Sequence, residues 1–118
     1  MAKDQAQRVS ISGMETQLSD RGEMMFRLSP AATDAWRKVF SELYREEPIR
    51  EGWTAFATSI YIFLECDPAL FDQGDLDHLQ RLVNRTNEAH RADLRKASAT
   101  EKQLRRLAEK LVFGGADE

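Results

Sequence analysis

The hydrophobic positions of this chain change period along its length, and each change marks an element. Val9 and Ile11 alternate with Ser10 and Ser12, and Met24, Phe26 and Leu28 alternate with Met25 and Arg27. A repeat of two puts each set on one face of a strand. Asp20-Arg21-Gly22 lies between them, with Gly22 able to take a positive φ, so the two strands are read as an antiparallel hairpin. From Ser29-Pro30 the period lengthens: Ala32, Ala35, Trp36, Val39, Phe40 and Leu43 recur at the three-and-four spacing of a helix with one face toward a core. Ser29 suits the capping position and Pro30 the first helical position. They predict a helix from Pro30 to about Arg45, stopped by Glu46-Glu47-Pro48.

Gly52 to Cys66 admits two readings. As strand, Ile60, Ile62, Leu64 and Cys66 share one face, with a further strand over Trp53 to Thr58 ahead of it; as helix, Trp53, Phe56, Ala57, Ile60, Tyr61 and Leu64 form one stripe. The β-branched and aromatic content favours strand. Asp67-Pro68 then breaks the element, and Pro68 to Phe71 forms a short turn or a single helical turn. Beyond it, a helix starts at Asp72 or Asp75, whose carboxylates can cap free N–H groups, and runs to Phe113, where Gly114-Gly115 closes it. Asp75 to Val112 alone would be about 57 Å long at about 1.5 Å per residue, against a diameter of about 35 Å for a compact fold of this size. The helix must therefore bend, break or protrude.

The expected fold is α+β: one small domain over residues 8–113 with an N-terminal β-hairpin, a helix, one or two further strands and the long C-terminal helix. Residues 1–7 are expected to be a disordered N-terminus and 114–118 a polar tail. With Leu76 at position a of a heptad, the ends of the long helix are apolar and its middle is polar, which makes a poor zipper. Leu76, Leu79, Leu82 and Val83 fit the chain's own core. Leu104, Leu107, Ala108 and Leu111 form a second, separate patch. Between the patches, Ser98-Ala99-Thr100-Glu101 matches a capping box. Either the helix breaks near Ser98 and its distal part, 99–113, protrudes or swaps onto a partner, or Ser98 and Thr100 face solvent in one continuous helix. In both cases the distal patch calls for burial, and a second copy of the chain is the expected partner.

Composition narrows the class. At 118 residues there is room for one domain, and no apolar stretch reaches the roughly 18 residues of a membrane span. Met1 to Arg8 lacks an export-type apolar stretch and Cys66 is the single cysteine, so the cytosol is the expected compartment. Charge is uneven: residues 1–74 carry 8 Lys+Arg against 12 Asp+Glu, a balance of −4, while 75–112 carry 9 against 6, a balance of +3. The basic residues of the helix alternate with acids at i, i+4, as in Glu101–Arg105 and Arg105–Glu109, which reads as a solvated surface rather than a phosphate-binding face.

Candidate chemistry is sparse. His78 and His90 lie twelve residues apart, about 18 Å along a helix, and neither they nor Cys66 show metal-ligand spacing. The acids around Gly74 miss the alternate positions of a calcium loop, and helix capping accounts for them. Cys66, next to Asp67, is disfavoured as a thiolate. No nucleophile elbow, phosphate loop or paired carboxylates with a base is present. The chain is expected to be non-enzymatic, without cofactor or metal, acting through protein–protein contact and self-association.

Glu23 to Leu64 also resembles a ribbon-helix-helix regulator: a short strand at Met24 to Leu28, the Ser29-Pro30 helix start, and a second amphipathic helix if Gly52 to Leu64 is helical. The resemblance implies strand pairing between two copies, with Met25 and Arg27 facing the DNA major groove. Only one cation stands on that face, and the strand at Val9 to Ile11 competes for the same edge.

Overall fold

The computed structural model describes residues 8–112; the readings made for 1–7, Phe113 and 114–118 lie outside them. β1 (Ser10–Met14) pairs antiparallel with β2 (Met24–Ser29), Ile11 opposite Leu28 and Gly13 opposite Arg27, with an irregularity between Ile11 and Gly13. The connection turns at Ser19–Gly22, where Gly22 N–H donates to Ser19 O at 2.9 Å and Gly22 takes φ +82°, as its sequence context predicts.

Helix α1 (Asp34–Glu46) begins four residues later than Ser29-Pro30 suggests. Ser29 is instead the last residue of β2, and the chain keeps pairing beyond it: Leu28 N–H donates to Ile60 O at 2.8 Å and Ala32 N–H to Ser59 O at 2.7 Å. Thr33 is the cap, its hydroxyl accepting from Trp36 N–H at 3.2 Å. The shift rotates the buried face. Trp36, Phe40 and Tyr44 are buried and stacked in sequence, with ring centroids 5.7 and 6.1 Å apart, while Ala35 is exposed.

Gly52 to Cys66 is strand, as two segments: β3 (Thr54–Ala57) and β4 (Tyr61–Glu65), paired antiparallel with Phe56 opposite Phe63. The turn that separates them lacks Gly, Pro, Asn and Asp. Thr58 supplies it, its hydroxyl oxygen accepting from Ile60 N–H at 3.4 Å and Tyr61 N–H at 3.1 Å, so a side chain stands in for turn geometry. Ile60 consequently sits in the turn, 52% exposed, rather than on the Ile62–Leu64 face. β4 pairs with β2, giving a four-stranded antiparallel sheet in the order β1-β2-β4-β3. The ribbon-helix-helix resemblance ends here: the segment that would be its second helix is a hairpin, and β2 has neighbours on both edges, leaving none for a partner's strand.

After a single 3-10 turn (Pro68–Leu70), α2 runs unbroken from Gln73 to Lys110, 38 residues. Asp72 and Asp75 form a reciprocal capping box, Asp75 N–H donating to Asp72 Oδ1 and Asp72 N–H to Asp75 Oδ2, each at 3.0 Å. The break near Ser98 is absent, and Ser98 and Thr100 face solvent. A continuous ladder satisfies their backbone groups without help, so a capping pattern inside a helix has nothing to terminate.

Both helices cover one face of the sheet. Met24, Phe26 and Leu28 of β2 and Ile62 and Leu64 of β4 meet the α1 aromatics and Leu79, Leu82 and Val83 of α2. The core ends at His90, yet the helix continues for twenty residues, and the molecule measures 73 × 28 × 24 Å with a radius of gyration of 19.7 Å. A compact chain of this length would have a radius near 13 Å. The long helix protrudes.

Candidate functional site

The polar middle of α2 is buried in its first part and exposed beyond His90, with Leu94 half-buried. Thr86, Asn87 and His90 are buried. Asn87 Oδ1 accepts from Val9 N–H at 3.0 Å and from Trp36 Nε1–H at 2.8 Å, while its Nδ2 donates to Val9 O at 2.8 Å. One amide thus ties the start of β1, α1 and α2 together. Thr86 returns its hydroxyl to Leu82 O at 2.7 Å. His90 Nδ1 has no hydrogen-bond partner among the described residues. These residues form the rim from which the protruding part of the helix leaves.

The other end of α2 is held by a charged latch. Arg50 Nε and Nη2 donate to the two Asp75 oxygens at 3.1 and 2.8 Å, Nη2 also reaches Leu70 O at 3.0 Å, and the guanidinium lies 4.8 Å over the Trp53 ring. The Arg50 bonds hold the Asp75 carboxyl below the ordinary aspartate value, against the upward push of burial, with the Asp72 backbone adding to the depression. A carboxyl whose folded value is depressed contributes stability at pH above its unfolded value, and that contribution disappears as pH falls through the folded value. Asp75→Asn should therefore be less stable than the parent chain at neutral pH, and the gap should narrow below about pH 4. Urea midpoints across that range check this; a gap that stays constant with pH would contradict it.

The remaining titratable groups serve structure. Cys66 is half-buried, and burial first, then Asp67 and Asp75, push its thiol up. His78 Nε2 lies 2.9 Å from Glu47 O, tying α2 to the end of α1 beside the Arg85–Glu47 ion pair. Among the described residues, no group of three or more His, Cys, Asp or Glu side chains converges. A shallow cleft of about 440 Å³ lies between β1 and the start of α2, its lining divided between apolar residues such as Ile11, Phe71 and Leu76 and polar ones such as Ser12, Asp72 and Gln80. No helix among the described residues is long and apolar enough to cross a membrane.

Two surfaces present apolar side chains to solvent, the first exposed throughout and the second exposed at Phe56 and half-buried at Phe63, Met25 and Tyr61. The first is the distal arm of α2, where Leu104, Leu107 and Leu111 are 59%, 50% and 48% exposed and Ala108 is exposed beside them, the four residues the heptad pattern singles out. The second is the face of the sheet turned away from the helices. Register puts Phe56, Phe63 and Met25 in one row across β3, β4 and β2, with Phe56 and Phe63 stacked at 5.0 Å and Tyr61 tilted against Phe63 at 5.7 Å. Arg27 is on this face too, but not as a free cation: its Nη1 donates to Glu15 Oε2 at 2.9 Å, and the Tyr61 hydroxyl donates to the same oxygen at 2.9 Å. Gly13 opposite leaves the room, since a Cβ there would lie 2.3 Å from Arg27 Nη2. The Arg27 and Tyr61 bonds hold the Glu15 carboxyl below its ordinary value, while the bond to Glu15, with burial, pushes the Tyr61 phenol up. The helix period exposed the arm in the sequence; the sheet face needed the strand order.

Compared with known protein families, with curated proteins and with solved structures, the chain shows no significant match to any. The reading of its function therefore rests on these surfaces.

Proposed function

We propose that this chain is a small non-enzymatic α+β module that acts through protein–protein contact and self-association, with the distal half of α2 as its contact element. The observation that carries the reading is the arm itself, a continuous helical extension whose Leu104, Leu107, Ala108 and Leu111 stripe is left in water. Large apolar side chains grouped on one helical stripe favour contact with another apolar surface, at roughly 25 cal/mol per Å² removed from water. The expected partner is a second copy of the chain.

Light scattering or sedimentation equilibrium on the full chain tests this. The parent chain should be dimeric or larger at high micromolar concentration, and Leu107→Glu should weaken association by at least about tenfold, the equivalent of about 1.4 kcal/mol. A parent chain that stays monomeric throughout that range would sink the proposal.

A further inference from the structure

We infer that the arm of one copy docks on the open sheet face of a second copy, rather than on the second copy's arm. This rests on the self-association reading and specifies where the arm lands.

The charge division made visible by the fold is sharper than the sequence halves suggest. Residues 8–90, the body, carry 9 Lys+Arg against 14 Asp+Glu, a balance of −5; residues 91–112, the arm, carry 7 against 3, a balance of +4. Two arms laid together bring like charge to like charge. An arm on a body brings opposites together, and the exposed face offers Glu65, opposite Thr54 on the β3–β4 ladder and two residues along the strand from Phe63. Arg105 borders the leucine stripe on the arm, about 100° around the helix from Leu104.

The dimensions agree. Leu104 to Leu111 spans about 10.5 Å along the helix at about 1.5 Å per residue. Three adjacent strands at about 4.8 Å spacing span nearly the same distance, which is the width of the Phe56–Phe63–Met25 row. The seam also argues against arm-on-arm pairing: the residues that continue the Leu104–Ala108–Leu111 stripe toward the body are Glu101, Ala97 and Leu94, so two arms packed on it would bring two Glu101 carboxylates toward the contact.

The arm cannot cover its own chain's open face. It is the unbroken continuation of a helix that packs on the opposite side of the sheet, so the row and the leucines of one molecule never meet. A second copy is the occupant that satisfies both surfaces at once. Nucleic acid is disfavoured on the same face, because Arg27 is already neutralised by Glu15 and the body is acidic.

The test uses the full chain. Phe56→Asp alters a side chain on an edge strand that is already 44% exposed, so the variant should keep its fold, which the melting transition verifies. Association should fall by at least about tenfold in Phe56→Asp, as in Leu107→Glu, and should weaken with added salt. In a Cys66→Ser background, a mixture of Phe56→Cys and Leu107→Cys chains treated with a short bismaleimide should give a 56–107 crosslink between chains. A parent chain that associates while Phe56→Asp associates equally well, or a mixture of the cysteine variants that crosslinks only 107–107, would overturn the docking mode and leave self-association standing. A parent chain that never associates would remove both.

Discussion

Asn87→Ala should lower the unfolding free energy by about 3 kcal/mol, a large share of the roughly 5–15 kcal/mol available to a domain of this size. The Asn87 amide satisfies three groups: the Val9 N–H, the Trp36 indole N–H and the Val9 carbonyl. Val9, Trp36 and Asn87 are all buried, so water cannot replace the amide without opening the junction between β1, α1 and α2. Each orphaned buried donor or acceptor costs about 1–3 kcal/mol. Urea unfolding of the parent and variant, with unchanged m-values, measures the difference. A loss under about 1 kcal/mol would mean that the three groups find other partners and the amide is not the clamp the distances describe.

The second large effect is a separation of shape from stability. A chain ending at Ala97 keeps every buried residue of the described structure and loses Leu104, Leu107, Ala108 and Leu111. Its radius of gyration by small-angle scattering should fall from 19.7 Å toward about 13 Å, its concentration-dependent association should vanish, and its melting midpoint in dilute solution should move by no more than a few degrees. Distal leucines that were packed on the body would show themselves as a large drop in that midpoint. The experiment also bears on the proposed function, since it removes the contact element while sparing the fold that presents it.

Parts of this structure can be read from the chain by eye, and the parts that cannot share a cause. The capping box at Asp72 and Asp75, the positive φ at Gly22 and the alternation of Met24, Phe26 and Leu28 all depend on residues within a few positions of one another. The start of α1 is different. Ser29-Pro30 is a sound local signal for a helix, and it loses because pairing with Ser59 and Ile60, some thirty residues on, holds the chain extended through Ala32. The turn at Thr58 was invisible because a threonine hydroxyl performs a task usually assigned to Gly or Asn. The candidate site divides the same way: Leu104, Leu107, Ala108 and Leu111 follow from helical spacing, whereas the Phe56–Phe63–Met25 row follows from strand order.

Local periodicity and capping chemistry were enough to read an α+β chain with an N-terminal hairpin and a helix too long for its own domain, and residue content to favour strand over helix at 52–66. Tertiary structure decided which polar residues are inside and which apolar residues are outside. Thr86, Asn87 and His90 look like solvated helix positions until Val9 and Trp36, 78 and 51 residues from Asn87, arrive against them. Phe56 and Phe63 look like core until both helices settle on the other side of the sheet. A side chain's period reports only which face of its element it occupies; whether that face meets protein or water depends on where the rest of the chain comes to lie.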